Sequence, residues 1–439
     1  MKLRQELSAP GLLNTARQHF QESLGGDQRI SGKTDFSMAD TAMCAVAMFN
    51  LKFPSMLQFD TANRTDDVIQ HNLRTLFGVH KAPSDTQMRE ILDPVDPRAV
   101  RGVFKSVFTS LQRGKILEEF VYFNDSYLLS LDATGYFSSG SVSCSSCCIK
   151  EHRDGKTTYY HQILSGVLVH PEKKGVIPFA PEAIVQQDGT QKNDCERNAG
   201  ERFLEDFRRE HPHLKVIVTE DGLGSNAPHI ATLKRLNFNY ILGCKPGDHR
   251  SLFEFIEASE KLGEVQKWEI QEGKVHHRFR WMKGVPLNDS NPDCQVGFLE
   301  YWETQGDKVK HWSWVTDLDL SEKSVYRIMR AGRARWAIEN ETFNTLKNQG
   351  YCFEHNFGHG KKNLSVVLAQ LMMLAFLIDQ AQQLACALFQ QAKIRLRIKE
   401  RLWGTMRFFF EHFLFESWEE YLGALAVGIK RKAVELDTS

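Results

Sequence analysis

Two acids stand at the ends of apolar runs. "SYLLSLDATGYF", Ser126 to Phe137, sets Asp132 after a β-prone stretch and before small, turn-prone residues. "LKVIVTEDGLGSN", Leu214 to Asn226, does the same with Asp221, and a glycine turn follows. Both runs read as buried strands. An isolated buried charge is costly, so acids in such places are usually paired, hydrogen-bonded or bound to a metal. Two strands that end alike point to one shared site.

The elements around them follow from pattern. Residues 1 to about 120 read as helical, with Ser37 to Phe53 one helix and Ser84-Asp85-Thr86-Gln87 the capped start of another. Pro94 and Pro97 then break the chain before Arg98 to Lys115 resumes. This region is a helical bundle or a helical DNA-binding module. From Val121 the pattern changes to strands: Val121 to Leu131, Tyr159 to His170 and Val176 to Val185, the last two joined by a turn at Pro171 to Gly175. A helix over Lys192 to His211, a strand over Leu214 to Thr219, a helix over Asn226 to Leu236 and a strand over Phe238 to Cys244 complete the set. After a short helix over Leu252 to Glu260, Trp268 to Trp314 is strand-like and aromatic. Ser321 caps a long helix reaching about Asn348, and residues 363–390 and 392–430 form two more helical blocks.

The 439 residues carry a formal net charge of zero, which argues against uniform positive potential but not against a local basic stripe. Nine cysteines, unevenly spaced, argue against a disulfide framework. Met1 to Glu6 leads into polar sequence, and Leu364 to Leu377 is too short to span a bilayer, so a cytoplasmic chain with a buried helix is expected.

A third acid lies in "RAGRARWAIENETFNTLKNQGY", Arg330 to Tyr351. With "LDATG" and "VTEDG", the helical "RWAIE" resembles the DDE transposases of bacterial insertion sequences, over roughly Tyr127 to Lys362. The resemblance implies an α/β fold: a ribonuclease H-like mixed five-stranded sheet flanked by helices. Its core would span residues 121–247 and 320–390, split by a β-rich insertion at 248–319, with helical regions at 1–120 and 391–439. It implies Asp132, Asp221 and Glu339 as the catalytic, metal-binding triad. It also implies double-stranded DNA as partner (terminal inverted repeats and target), a homodimer in the synaptic complex, no membrane, and a bacterial, nucleoid-associated location.

The chemistry agrees with that set. Cleaving a phosphodiester and joining a 3′-hydroxyl to another needs an activated oxygen and a stabilised leaving oxyanion, and two cations about 3.5–4 Å apart supply both. Mg²⁺, or Mn²⁺ in its place, prefers carboxylate oxygens. Subgroups of the family carry a Tyr three residues before the Arg and a Lys seven after the Glu. Here Arg335 is present, but Gly332 stands at the Tyr position and Leu346 at the Lys position. Lys347 is one residue late, which turns it about 100° around a helix. Periodicity separates Glu339 from Glu341: Trp336, Phe343 and Leu346 form a stripe expected to face the sheet, with Glu339 inside it and Glu341 near the opposite face.

Lys323, Arg327, Arg330, Arg333 and Arg335 form a basic approach to Glu339, suited to phosphate or simply a solvated face. Lys347, with Lys361 and Lys362 of the loop "EHNFGHGKKN", extends the candidate DNA surface, although the loop could serve only to reverse the chain. A second basic run is Lys393-Arg395-Arg397-Lys399-Arg401. Trp268, Trp281, Trp302, Trp312 and Trp314 either fill a small β-core or include one that stacks on a flipped base, as in related hairpin-forming transposases. Cys144, Cys147, Cys148 and His152 are candidate zinc ligands, with His161 or Cys195 able to complete a tetrahedron; the alternative is reduced cysteines in a hairpin.

Three rival functions follow from the same residues. "DATG" resembles the Asp-Thr-Gly turn of aspartic proteases, but Ala133 intervenes and no second turn exists. A catalytically inactive, transposase-derived DNA-binding protein and a ribonuclease H-like nuclease without strand transfer both remain as alternatives.

Overall fold

The computed structural model describes residues 6–24, 36–185 and 193–429. They fall into two units. One gathers Met1–Ile116, Ser141–Ser146 and Thr345–Ser439; the other gathers Leu117–Gly140 and Cys147–Asn344. The start of the helix expected from Lys192 and the last residue of the block expected to reach 430 lie outside the described residues.

The second unit is built on one mixed sheet. Its strands are β1 (Val121–Phe123), β2 (Ser126–Ser139), β3 (Cys148–Glu151), β4 (Thr157–His170), β5 (Lys173–Pro178), β6 (Glu182–Ile184), β7 (Val216–Glu220), β8 (Asn239–Gly243), β9 (Gln266–Glu272), β10 (Val275–Asn288), β11 (Asn291–Gln305) and β12 (Lys308–Thr316). The order is β3-β4-β2-β7-β8-β12-β11-β10-β9, with β5 and β6 on β4 and β1 on β2. β2 pairs antiparallel with β4 but parallel with β7, and β7 pairs parallel with β8. Parallel neighbours need crossover connections. The Glu196–Glu210 and Ala227–Arg235 helices provide them.

Three expectations change here. The run Val121 to Leu131 is not one strand closed by Asp132: it divides into β1 and β2, which pair antiparallel, and β2 continues past Asp132 to Ser139. The run Val176 to Val185 is not one strand: it divides into β5 and β6, both antiparallel to β4. Nor does the sheet stop at five strands. β12 hydrogen-bonds to β8 through Thr316↔Ile241, Val315↔Leu242 and Trp314↔Gly243, so the aromatic insertion continues the same twelve-stranded sheet. An edge strand offers unpaired backbone groups, and a returning strand of matching length satisfies them.

Helix packing on this sheet demands one glycine. A Cβ at Gly166 on β4 would lie 2.2 Å from Phe203 of the Glu196–Glu210 helix. Phe203, Leu204 and Phe207 are buried against the sheet, and a larger residue at 166 would lift that helix away.

The other unit is helical. Ser37, Ser55, Asp66 and Ser84 each accept a hydrogen bond from the first turn of the helix that follows, and Ser84 with Gln87 forms a reciprocal cap. Its central helix, Leu364–Ala385, has 22 residues. That is longer than the apolar run alone suggested, and long and apolar enough to cross a membrane by length and composition. Here its apolar surface is buried, with the Met38–Asn50 and Pro97–Arg113 helices against it.

Within that apolar packing sits a charged cluster. Lys52 Nζ lies 2.5 Å from Asp379 Oδ2, Asn50 Nδ2 donates to Asp379 Oδ1 at 2.8 Å, and the Tyr351 hydroxyl donates to Asp379. Lys52 Nζ is also 4.2 Å from the ring centroids of both Tyr351 and Trp403. Burial pushes the Asp379 carboxyl up and the Lys52 amine down, and their mutual contact offsets part of both shifts. Removing one partner strands the other. Lys52→Met is expected to destabilise the protein by about 3–5 kcal/mol, read as a lowered urea midpoint, and Lys52→Met with Asp379→Leu to recover most of it.

Candidate active site

β2 and β7 run parallel in the register Tyr127↔Val216 to Ser130↔Thr219. Two residues further along each chain, the same offset sets Asp132 beside Asp221. The backbone then fixes one oxygen of each acid. Asp132 Oδ1 accepts from the Ala133 N–H at 3.0 Å, and Asp221 Oδ1 from the Leu223 N–H at 2.9 Å. The second is an Asx-type turn, which explains the Asp-Gly at that strand end.

Glu339 arrives from a distorted helix. The expected single helix after Ser321 is instead Glu322–Ala334, a turn at Arg335, a π-helical stretch Ile338–Phe343 and a last short segment Asn344–Asn348. This break and the wider π turn undo the predicted stripe. Phe343 and Leu346 are buried as expected, but Trp336 is 50% exposed. Glu339 and Glu341 are both partly buried, so exposure alone does not separate them. What distinguishes Glu339 is Arg335. Its Nη2 lies 2.7 Å from Glu339 Oε1 and its Nη1 lies 3.4 Å from Asp132 Oδ2, while its carbonyl accepts from Ser130 Oγ at 3.3 Å. One guanidinium thus joins the acid of the helix to the acid of the strand.

The electrostatics of this corner are unbalanced. Burial pushes the Asp132 carboxyl up to about 6; Arg335 opposes the rise, while Glu339 and Asp221 add to it. Glu196, which the sequence reading did not single out, is pushed up to about 7, first by burial and then by Asp132, Asp221 and Glu220, against Arg335. No local signal marks Glu196: it is simply the first residue of a helix, and only the crossover brings it to the acids. Glu220 is engaged by His229 Nε2 at 3.0 Å. A cluster of oxygen donors with too little positive charge fits a hard divalent cation.

Beside Asp221 opens a cleft of about 270 Å³, lined by Lys245, His311, Trp312, Trp314, Gly332, Arg333, Arg335 and Trp336 among others. It explains the departure at Gly332. A Cβ there would come within 2.6 Å of Trp314 Nε1, so the indole fills the space a Tyr would need. The insertion tryptophans are mostly committed to packing. Trp281 and Trp314 are buried, Trp268 stacks on Phe279, Trp302 on His311 and Trp312 on Tyr301.

The basic candidates separate by partner. Arg330 Nη1 lies 3.0 Å from Glu172, and Arg333 Nη1 lies 2.5 Å from Glu303 with its guanidinium 4.4 Å from the Trp312 ring. In the helical unit, Lys347 pairs with Glu354 at 2.9 Å. Lys361 and Lys362 present exposed side chains from a loop whose backbone N–H groups donate to Asp93.

The proposed zinc set is not assembled as expected. His152 Nε2 turns to the Thr158 hydroxyl at 2.8 Å, and the Cys148 thiol donates to the Ile184 carbonyl at 3.5 Å. Both point elsewhere because they follow strand alternation and turn geometry rather than the spacing of a knuckle. Cys195 is exposed at the start of its helix. In the sheet unit Cys147 Sγ lies 3.4 Å from His161 Nε2, and in the helical unit the ligand atoms of Cys144 and His359 lie within 4.8 Å.

The raised Asp132 has a consequence for stability. Its contribution favours the fold below the ordinary carboxylate range and is lost as pH climbs through about 6. Asp132→Asn is therefore expected to raise the melting temperature in EDTA, by about 2–4 °C near pH 8 and by less near pH 4.5. Scanning calorimetry at the two pH values checks the difference.

No protein-family model matches the chain, and no curated protein matches it. Among solved structures, it is similar to a piggyBac transposase synaptic complex with hairpin DNA, determined by cryo-electron microscopy. The identity is 12%, the match covers 99% of this chain and 86% of that one, and the TM-score is 0.40. A likeness this loose carries no argument about activity, so the functional reading rests on the acids and their surroundings.

Proposed function

We propose that the chain is a DDE-type DNA transposase of the insertion-sequence kind, cleaving at element ends and transferring the strand into target DNA. The observation that carries the reading is the placement of Asp132 and Asp221 on adjacent parallel strands, with Glu339 joined to Asp132 through Arg335. The strand order supports it. β5-β4-β2-β7-β8 has three antiparallel members followed by two parallel to β2, an order that supports a ribonuclease H-like reading. In such a core the acids of the first and fourth strands meet, and here Asp132 lies within β2 with Asp221 one residue past β7.

In this reading Asp132, Asp221 and Glu339 hold two divalent cations, Mg²⁺ or Mn²⁺. When bound, the cations supply activation of the attacking oxygen and stabilisation of the leaving one. The chain's own groups position DNA. In the sheet unit, Arg335, Arg333 and Arg330 exchange their carboxylate partners for phosphate oxygens; in the helical unit, Lys347, Lys361 and Lys362 are separate candidates for phosphate contact. Two copies would each take one element end. Asp132 is held within β2 and accepts from the Ala133 N–H, and the turn after Asp221 is tied by the Leu223 N–H, so the carboxylates need little reordering to accept a cation.

Asp132→Ala, Asp221→Ala and Glu339→Gln are each expected to lower Mg²⁺-dependent cleavage of matched element ends by at least about 10³-fold. Binding to the same ends should stay within a few-fold. Glu341→Gln should keep cleavage within a few-fold of the parent. A gel assay of nicking and strand transfer, run beside a mobility-shift assay, reads both. Full cleavage by Glu339→Gln with loss in Glu341→Gln would overturn the assignment.

A further inference from the structure

We propose that Arg335 is a built-in counter-ion that occupies the cation's place in the metal-free chain and has to be expelled for a divalent cation to load. The inference rests on the metal-site reading above. Its own observation is the two-pronged contact, Nη2 on Glu339 Oε1 at 2.7 Å and Nη1 on Asp132 Oδ2 at 3.4 Å. These are the oxygens that a cation between strand and helix would have to claim, and they cannot serve both. The guanidinium is well placed to hold them, since its side chain is only 13% exposed. Its own carbonyl is anchored to Ser130 on β2, so the main chain stays while the side chain leaves.

The side chain has somewhere to go. Arg335 and the exposed Trp336 line the cleft beside Asp221, together with Lys245, His311 and Arg333. A guanidinium displaced from the acids turns into that cleft, where its planar fork suits a phosphate. Cation loading and exposure of the phosphate-seeking Arg335 are then one event. Without the cation, the arginine neutralises the acids and withholds itself from DNA. Arg335 acts through the acids and is a positioning residue in this role.

Calorimetric titration of Mn²⁺ into the full, DNA-free chain tests the exchange, with circular dichroism to verify folding. Arg335→Met removes the competing cation and is expected to tighten the Mn²⁺ Kd by about tenfold. Arg335→Lys keeps one charge but cannot bridge both carboxylates, so its Kd should tighten by about threefold. Asp132→Asn and Glu339→Gln should weaken binding in every background. Unchanged or weaker Mn²⁺ binding in Arg335→Lys and any folded Arg335→Met, with the acid variants still weakened, overturns the placeholder and leaves the metal site standing. Absence of binding in the parent and in all variants overturns the metal reading and this inference together.

Discussion

Everything at the candidate site follows from one pairing, β2 against β7 in parallel register. It sets Asp132, within β2, beside the exposed Asp221 just past β7, and burial disfavours the charge on Asp132. Such a corner is stable only if positive charge arrives from elsewhere. Arg335 brings it, on the turn that interrupts the helix carrying Glu339. A straight helix would keep its side chains in regular ridges; the turn and the π-helical stretch re-aim them. Distortions of this type are frequent at functional sites, and here the distortion lies directly beside the acid.

The aromatic insertion gains its role from being part of the sheet. Because β12 pairs with β8, Trp312 and Trp314 stand next to the strand that follows Asp221, not on a separate module. Trp314 then occupies the space above Gly332, and Trp312 supports Arg333, whose other partner is Glu303 on β11. The cleft beside Asp221 is therefore walled by residues far apart in sequence but adjacent across strands. Of its cations, Arg333 and Arg335 are held by acids, while Lys245 is exposed.

The helical unit solves a different problem. Its central helix is apolar over most of its buried surface, and apolar contacts alone specify packing partners weakly. Asp379, with Lys52, Asn50 and Tyr351 on it, adds a polar contact set that a slipped arrangement would lose, leaving a buried charge alone. Capping does the local work at four of the shorter helices, started by Ser37, Ser55, Asp66 and Ser84.

The sequence by itself determined the elements and the chemistry they carry. Alternating and continuous apolar runs located the strands, Ser and Asn caps located the helix starts, and the acids announced themselves as charges closing apolar runs, although β2 continues past Asp132. Local pattern carries that information because hydrogen bonding and side-chain alternation act over a few residues. Tertiary structure decided the rest. Whether the insertion joined the sheet depended on an edge strand finding β12, and nothing local to either strand states it. The break at Arg335 defeated a periodicity argument that assumed 3.6 residues per turn throughout, so Trp336 faces solvent where the pattern put it inside. His152 and Cys148 had the spacing of ligands but not the direction, because a strand alternates its side chains and a turn redirects them. Glu196 had no signal at all. Its meaning arises only when a crossover helix starts beside two acids from other strands, and charge acts through space, not along the chain.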